Sequence, residues 1–420
     1  MAIGPTPLVD YKDLIEEGRI NGRLYYDPVI FQQEMEKIWH RGWVYVGHAS
    51  EVPEPGDYIT RKIGQQPVIM VRDQDGEVGL LLNRCRHRGN LVCQHERGRA
   101  PFFRCDYHGW TYTNKGELIR VSYSEAYDAS FRKEDHGLVK VARRASYRGF
   151  IFGSLSPTGI SLEEHLGGAM EYIDAFVDRS LEGEIELRAG VQKARYKGNW
   201  KMLPENSLEG FYHGHVLHQY YFDQRVKSQT RREVQETAGG TVFLPGGHMV
   251  AGHTTRLHVD ILGSRNRTVA LADYVEAMER RFGKEKAQQA LQEFSPFVSV
   301  FPNLILLQTH VRRIQPVRVN ETYVYYQPAL LKGAPTEVNA LILRDHEICF
   351  GPAGCLAPDD LEILERIQAG IEARANEWLV LSRGLHREET KADGVRLGYG
   401  MDECQLRGMW RHYKSVMSEA

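Results

Sequence analysis

Two short groups of metal-binding side chains constrain this chain more than any other feature of its sequence. Cys85 and His87 form a Cys-x-His pair, and after 17 intervening residues Cys105 and His108 form a Cys-x2-His pair. Two thiolates and two imidazoles can hold a tetrahedral zinc ion. The same ligands can hold a [2Fe–2S] cluster, with the cysteines on one iron and the histidines on the other. The spacing therefore predicts a metal centre and leaves its metal open.

The sequence around these four ligands predicts a small all-β domain. From Trp43 to Leu155, short runs rich in Val, Ile, Tyr and Phe alternate with Gly, Asp, Asn and Pro. These turn residues recur at the distances expected of hairpins. A small sandwich or barrel is the expected architecture.

Beyond Ser156 the sequence predicts a second, larger domain of the α+β class. Apolar residues recur at helical spacing in some segments, and β-branched and aromatic runs occur in others. The helical residues before Gly42 are expected to pack on this domain. The main predictions are helices over Leu271–Phe294 and Asp359–Arg387 and strands over Thr309–Val317 and Glu321–Leu331.

Composition excludes several classes of protein. The chain has 53 Lys and Arg against 55 Asp and Glu, so bulk positive charge does not hold it to nucleic acid or to an anionic membrane. Six cysteines in 420 residues are too few for a disulfide scaffold, which favours reduced thiols and a cytoplasmic protein. No segment approaches the roughly 18 uncharged apolar residues of a membrane-spanning helix, and the first residues are not typical of a secretory signal. A soluble chain is expected.

A second group of metal-binding residues lies in the larger domain. His213, His215 and His218 fall within six residues. On a regular helix His213 and His218 point about 140° apart, so both reach one metal only if the helix breaks between them. Gly214 is placed to allow that break. The residues alone indicate a metal site no more strongly than a polar histidine cluster.

The first group is part of a longer pattern that resembles a known family. CRHRG at 85–89, followed by CDYHGWTY at 105–112, resembles the Rieske iron–sulfur motif in the form found in aromatic ring-hydroxylating oxygenases. Rieske proteins of respiratory membranes differ, because they carry an extra cysteine beside each ligand pair and a membrane anchor. The resemblance implies a [2Fe–2S] cluster bound by Cys85, His87, Cys105 and His108, in a Rieske domain that spans residues 40–156.

The second group extends this resemblance. NWKMLPENSLEGFYHGHVLH at 199–218 is similar to the family's catalytic stretch, which implies that His213 and His218 bind a mononuclear iron. FGPAGCLAPDD at 350–360 is similar to the segment that ends in the third iron ligand, here Asp360. The same acidic pair also suits the first turn of a helix. The family has no ligand at the position of His215, which is expected to line the pocket or to be structural.

Further residues take expected roles from the same match. Asn206 and Glu209 are assigned to the catalytic residues, and Ser207 and Phe350 fall, with Asn206, where family members line the substrate pocket. The family places an acid three residues before the first histidine ligand, where it bonds that histidine and a cluster histidine of the neighbouring subunit. Here that position, 210, is glycine. Either Glu209 is the bridging acid, with Phe211 accommodated as a π-bulge, or the bridge is absent.

The resemblance implies a terminal oxygenase with an α+β fold. The small all-β Rieske domain is followed at 157–420 by a larger catalytic domain with an antiparallel sheet flanked by helices, on which an N-terminal helical segment (1–39) packs. Electrons from NAD(P)H are expected to arrive through a separate reductase or ferredoxin and to activate O2 at the iron. No GxGxxG motif follows a strand, in agreement with a separate reductase.

The implied reaction is hydroxylation of an aromatic ring, most often cis-dihydroxylation. The leading expected substrate is an aromatic carboxylate such as a benzoate, cumate or salicylate, because 150–166 and the motif GFYHGH are similar to members acting on such acids. An aromatic hydrocarbon, biphenyl or a polycyclic arene, is the alternative. The family implies a trimer, often with a small β subunit. The hypothesis of a different class is a zinc-stabilised binding protein without redox chemistry.

Overall fold

The computed structural model describes residues 9–221, 239–253, 268–292, 297–307 and 310–419. The chain forms two compact units, which we call the small unit (Trp39–Leu162) and the large unit (Met1–Ile38 with Glu163–Ala420). The small domain predicted at 40–156 therefore begins one residue later and ends six residues earlier than the small unit. The residues before Trp39 therefore cluster with the large unit.

The N-terminal part of the large unit contains two short strands and two helices. Asp27 begins the second helix, because its side chain accepts a hydrogen bond of 2.7 Å from the Val29 amide and Pro28 occupies the first turn. On the same helix, the buried Glu34 pairs with Lys201. The elements are β1 (Ile15–Glu16), β2 (Arg19–Asn21), α1 (Arg23–Tyr26) and α2 (Pro28–Glu34), followed by a π-helical segment at Met35–His40.

The small unit is built of antiparallel strands, as predicted. Its three sheets have the strand orders β6-β5-β4-β7, β11-β12-β3 and β10-β9-β8. The strands are β3 (Val44–His48), β4 (Asp57–Ile63), β5 (Gln66–Arg72), β6 (Val78–Leu82), β7 (Arg97–Arg99), β8 (Phe102–Arg104), β9 (Thr111–Thr113), β10 (Leu118–Arg120), β11 (Arg143–Tyr147) and β12 (Phe150–Ser154), with 3₁₀ turns at Ala49–Glu51, Ser124–Ala126 and Lys133–His136.

The large unit is centred on one antiparallel sheet, in the order β14-β20-β19-β18-β17-β16-β15-β24-β23. Its remaining helices are α3 (Leu162–Leu166), α4 (Ala169–Val177), α5 (Met202–Leu208), α6 (Gly210–Leu217), α7 (Thr268–Phe282), α8 (Lys284–Gln292), α9 (Thr336–Phe350), α10 (Ala357–Ile371) and α11 (Cys404–Ser418). Its remaining strands are β13 (Ile185–Glu186), β14 (Gln192–Tyr196), β15 (Gly240–Leu244), β16 (His248–His253), β17 (Phe297–Val300), β18 (Leu304–Leu307), β19 (His310–Arg318), β20 (Glu321–Pro328), β21 (Leu330–Leu331), β22 (Trp378–Val380), β23 (Glu389–Thr390) and β24 (Arg396–Tyr399), and a 3₁₀ turn lies at Leu385–Arg387.

Helices cover this sheet and place the residues of interest. Helix α11 packs on β15, β16 and β24, and α5 packs on β16 and β17. Trp410 of α11 is 1% exposed, and every residue of α5 except Glu205 is buried. The apolar sides of both helices are therefore covered, which holds α5 in one position. The predicted α+β class, with an antiparallel sheet flanked by helices, is confirmed.

Two predicted helices have different bounds in the structure. The helix predicted over Asp359–Arg387 ends at Ile371, and Trp378–Val380 is instead a strand that pairs with β2. The helix predicted over Leu271–Phe294 is two helices separated by Gly283, which has φ +85°; Phe294 lies outside the described residues. The pairing with β2 and the left-handed glycine each end a helix, but neither changes the spacing of apolar residues on which the predictions were based.

Candidate metal centres

The four cysteine and histidine ligands predicted in the small unit lie on two loops of the same shape. In each loop the glycine amide donates to the carbonyl of the cysteine, at 3.0 Å from Gly89 to Cys85 and at 2.9 Å from Gly109 to Cys105. Both glycines have positive φ, +77° and +72°, which other residues adopt at a cost. The matching turns bring two cysteine–histidine pairs together.

Inside this site the sulfur atoms are deep and the imidazoles are shallow. Cys85 and Cys105 are 2% and 1% exposed and belong to a core that includes Trp110. The rings of His87 and His108 have centroids 4.6 Å apart and are only partly covered, and His87 stacks on Trp110. The structure therefore brings all four predicted ligands together.

The donor set fits an iron–sulfur cluster. Burial is the main reason that the pKa of the Cys85 thiol is raised, and the neighbouring Cys105 thiol adds to the effect. The Nδ1 atoms of His87 and His108 are buried and have no hydrogen-bond partner among the described residues. Two buried thiols and two unpartnered imidazole nitrogens are the ligands that such a cluster with mixed coordination requires.

The His-His-Asp site predicted in the large unit is also assembled. His213 lies on α6, His218 comes directly after that helix, and Asp360 lies in the first turn of α10. One donor atom of each residue lies within 4.8 Å of the other two. The distance to Asp360 Oδ1 is 3.6 Å from His213 Nε2 and 3.1 Å from His218 Nε2. Two imidazoles and one carboxylate converge from two helices, as a facial triad requires.

The charges of this site suit a divalent metal. Burial lowers the pKa of His213 to about 4, so the ring is neutral and can act as a ligand. Burial opposes ionisation of Asp360, but His218, His213 and Arg312 outweigh it and lower its pKa. Asp359 Oδ2 lies 3.6 Å from His218 Nδ1, which is within ion-pair distance but too long for a hydrogen bond. These residues fit a mononuclear iron.

The predicted helix break at Gly214 was wrong. Helix α6 continues through Gly214 to Leu217, and the His218 amide still donates to the Gly214 carbonyl at 3.1 Å. The backbone departs from helical angles at His218 itself, with φ −104° and ψ 28°. Because the ligand is the residue that ends the helix, its ring turns toward His213 without an earlier break. The ring centroids are 5.1 Å apart. The side chain of His215 lies outside the described residues.

Glu209 separates two helices and does not lie in a π-bulge. Helix α5 ends at Leu208, α6 begins at Gly210, and Glu209 has φ −115° and ψ 19°. Its carboxylate pairs with Arg383 at 3.3 Å, and no hydrogen bond joins it to the ring of His213. Burial raises its pKa to about 7. Within the chain it therefore contacts an arginine, and its role toward a second subunit stays a prediction.

Asn206 and Ser207 are adjacent on α5 and have different partners, Asp360 and Arg312. Asn206 Nδ2 donates to Asp360 Oδ1 at 3.1 Å, which orients the carboxylate. Ser207 Oγ accepts from Arg312 Nη1 at 2.8 Å. The ring of Phe350, at the end of α9, lies with its centroid 5.0 Å from Arg312 Cζ. Ser207 and Phe350 thus both contact Arg312, a buried arginine that the sequence did not single out.

Sequence reasoning also missed Glu205. It accepts hydrogen bonds from Tyr25 Oη at 2.8 Å and from Trp410 Nε1 at 2.7 Å, and burial raises its pKa to about 7. A cavity of about 540 Å³ next to it is lined by apolar residues and by Glu205, Glu209, Glu403 and His213. Only its spacing of eight residues from His213 links Glu205 to the site in sequence, and that signal is weak.

Comparison with known families identifies the chain. A family model described as the Rieske [2Fe-2S] domain matches residues 42–132, and one described as the ring hydroxylating alpha subunit (catalytic domain) matches residues 181–419, more than half of the chain. The chain belongs to the ring-hydroxylating oxygenase alpha subunits. As a member of this family it is an oxidoreductase with a Rieske [2Fe–2S] cluster and a mononuclear iron. The predicted family and cofactors are confirmed, and the alternative of a zinc-stabilised binding protein is wrong.

Relatives of this ring-hydroxylating oxygenase are similar over most of their length. It is 33% identical to the 2-halobenzoate 1,2-dioxygenase large subunit of Burkholderia cepacia, over 86% of this chain and 79% of that one. It is 32% identical to the anthranilate 1,2-dioxygenase large subunit of Acinetobacter baylyi, over 88% and 81%. A naphthalene 1,2-dioxygenase variant bound to phenanthrene has a TM-score of 0.84 and 27% identity, over 98% and 95%.

Among the described residues, none of the helices is both long enough and apolar enough to cross a membrane.

Proposed function

We propose that this oxygenase cis-dihydroxylates the ring of an aromatic carboxylate. Both atoms of O2 enter the ring, and two electrons from NAD(P)H, carried by a separate reductase or ferredoxin, and two protons balance the reaction. The observation that carries the proposal is the convergence of His213, His218 and Asp360 within 4.8 Å. Two imidazoles and one carboxylate leave coordination positions open for oxygen and substrate.

The metal assignments follow from the two sites. Cys85, Cys105, His87 and His108 hold the cluster, and His213, His218 and Asp360 hold the iron. The cluster supplies electrons and the iron, when bound, supplies O2 activation. The chain's own residues position these groups: Asn206 orients Asp360 through its 3.1 Å hydrogen bond, and Asp359 lies beside His218.

An aromatic carboxylate is the substrate class favoured by the relatives. Two similar proteins are named for 2-halobenzoate and for anthranilate, both of which carry a ring carboxylate. The buried cation Arg312 beside Ser207 and Phe350 agrees with a negatively charged substrate. An aromatic hydrocarbon is the second candidate, because the fold matches a naphthalene dioxygenase variant bound to phenanthrene.

The same proposal extends to the assembly. The oxygenase forms a trimer in the cytoplasm, with a small β subunit, and the cluster of one copy serves the iron of the next. The cavity beside His213 supports this arrangement, because Glu205, Glu209 and Glu403 line it while Arg84, Arg86 and Arg88 are exposed around the cysteine–histidine loops. Because their pKa values are about 7, Glu205 and Glu209 are partly ionised at neutral pH, and an arginine of a second copy favours their charged form and so the docking of one copy on another.

Three variants test the metal assignments. His213→Ala and Asp360→Ala are expected to keep the visible spectrum of the cluster and to lose turnover of benzoate by at least about 100-fold, since a ligand is removed from the iron. Cys105→Ala is expected to lose the cluster spectrum. Iron content, absorbance and product formation with purified reductase are the measurements, and His386→Ala, at an exposed position of the large unit, is the control. A fully active Asp360→Ala enzyme would show that the third ligand is wrong.

A further inference from the structure

Arg312 is a buried cation that has no carboxylate of the described residues within ion-pair distance, although its charge acts on Asp360 from farther away. It lies on β19 and is 2% exposed. Its Nε donates to His310 Nε2 at 3.0 Å and its Nη1 to Ser207 Oγ at 2.8 Å, both uncharged acceptors. Among the described residues, Arg312 forms no ion pair. A guanidinium held in this way is suited to an anion that arrives from outside the chain.

Three neighbours add donors that have no acceptor. Because His310 accepts at Nε2, its proton lies on Nδ1, and that atom is buried without a partner among the described residues. His346 is 1% exposed, and neither of its ring nitrogens has a partner in the described part of the chain. The hydroxyl of Tyr326 is likewise buried and unpartnered. Buried polar groups are usually paired, so this many unpaired donors indicate a missing acceptor.

These four side chains surround one aromatic ring. The centroid of Phe350 is 4.0 Å from the ring of His310, 6.0 Å from that of His346 and 6.1 Å from that of Tyr326, and it lies 5.0 Å from Arg312 Cζ. We call Arg312, His310, His346 and Tyr326 the donor cluster. Its link to the iron ligands is short, because Arg312 bonds Ser207 and the adjacent Asn206 bonds Asp360.

We propose that the donor cluster binds the carboxylate of the aromatic substrate, with Phe350 packed against the ring. The proposal rests on the function proposed above and names the residues that select for a carboxylate. Arg312 supplies a single positive charge, since burial and Arg312 itself keep the pKa of His346 low, at about 4. One cation with three neutral donors matches one carboxylate with two oxygens, and a neutral ring without acceptors would leave the same donors unpaired.

Tyr326→Phe tests the proposal with the smallest change of shape. Binding of benzoate and of benzamide to the anaerobic holoenzyme is measured by isothermal titration calorimetry. The wild type is expected to bind benzoate at least about tenfold more tightly than benzamide. Tyr326→Phe and His346→Phe are each expected to weaken benzoate binding by roughly tenfold and benzamide binding by less than about threefold, because each removes one donor to a charged acceptor.

Tyr196→Phe is the matched control. Tyr196 is a fully buried tyrosine on the neighbouring strand β14, and its hydroxyl donates to the Asn199 carbonyl at 3.1 Å, so its loss should leave the benzoate-to-benzamide ratio unchanged. Circular dichroism and cluster absorbance show whether each variant is folded. Benzoate binding that is unaffected in both Tyr326→Phe and His346→Phe overturns the assignment of the donor cluster and leaves the proposed substrate standing. A wild type that oxidises naphthalene and has no preference for benzoate overturns the substrate class as well.

Discussion

Tyr112 shows how one side chain can tune the cluster site. Its hydroxyl lies 3.2 Å from Cys85 Sγ and accepts a hydrogen bond from the Arg86 amide at 3.1 Å. Because the Arg86 amide donates to the Tyr112 oxygen, the hydroxyl hydrogen of Tyr112 is available to donate to Cys85 Sγ. A hydrogen bond to a ligand sulfur stabilises the more negative, reduced cluster.

Tyr112→Phe is therefore expected to lower the reduction potential of the cluster. Loss of one charge-assisted hydrogen bond, about 1.4 kcal/mol, corresponds to roughly 60 mV for one electron. Spectroelectrochemical titration of the purified oxygenase measures the potential. Tyr58→Phe is the control, because Tyr58 belongs to the same core and no hydrogen bond joins it to a ligand. An unchanged potential in Tyr112→Phe would mean that the hydroxyl does not donate to sulfur.

Single residues differ in how far sequence predicts their roles. The sequence predicts the four ligands of the small unit because each cysteine–histidine pair is a local pattern with a glycine close by. These ligands are Cys85, His87, Cys105 and His108. Arg312 is not, because an arginine in a strand is ordinarily solvated, and only the fold brings it to Ser207, 105 residues away. A long-range contact of this kind leaves no trace in local spacing.

Among the elements, the pair α5 and α6 decides the geometry of the iron ligands. The sequence indicated that one regular helix could not direct both histidines at the same metal. In the structure α6 ends at Leu217, just before His218, and Glu209 separates α6 from α5. Neither bound was predicted, because Gly210 and Gly214 are equally permissive in sequence and packing selects between them. Asp360 was predicted from the family resemblance alone, because an acid in the first turn of α10 suits the helix whether or not it binds a metal.

Three further histidines join α3, β16 and α11 of the large unit. His248 Nε2 donates to the His165 carbonyl at 2.7 Å, and His248 Nδ1 accepts from the Phe301 amide at 3.1 Å. Burial lowers the pKa of His248 to about 4, and burial together with His248 lowers that of His412 to about 4. These contacts require neutral rings, so they hold the elements together only above the pKa values of the folded state.

His412→Gln is expected to make the protein less sensitive to acid. Between pH 6.5 and 4 the unfolded chain binds a proton at His412 that the folded chain does not, so the free energy of unfolding decreases as pH falls through this range. One such histidine contributes a slope of about 1.4 kcal/mol per pH unit. Chemical denaturation at several pH values should give a smaller slope for His412→Gln by that amount. His386→Gln, at an exposed site, should behave like the wild type, and an equal slope in both variants would contradict the prediction.

At the scale of the whole molecule, two inactive variants should restore each other if clusters serve the irons of neighbouring copies. Cys105→Ala lacks the cluster and His213→Ala lacks the iron. In trimers assembled at random from equal amounts of the two variants, half of the chains keep the iron site and half keep the cluster. An intact iron therefore has an intact cluster in the neighbouring chain in about one case in four. Co-expression is therefore expected to give about a quarter of the wild-type turnover.

The separately purified variants provide the control for this experiment. Each is expected to be inactive alone, and a mixture of preformed trimers that do not exchange subunits should stay inactive. Sedimentation confirms that the co-expressed species has the same size as the wild type. Mixed trimers without turnover would show that electrons remain within one chain.

The two-part organisation of the chain follows more directly from sequence than the sites do. Short β-rich runs before Leu155 and helical spacing after Ser156 indicate a change of class, and the structure divides at Leu162. The order of the strands in the large sheet was not predicted, because β15 pairs with β24 about 150 residues later. Such pairing depends on the assembled core rather than on local propensity.

The different depths of the ligands in the small unit have a consequence for proton exchange. The thiols of Cys85 and Cys105 are sealed in the core, while the rings of His87 and His108 reach the surface. Any proton that this site exchanges with water when its charge changes must therefore be carried by an imidazole. A partner that covers the two rings would stop that exchange, so docking at this surface and proton release from the site are coupled.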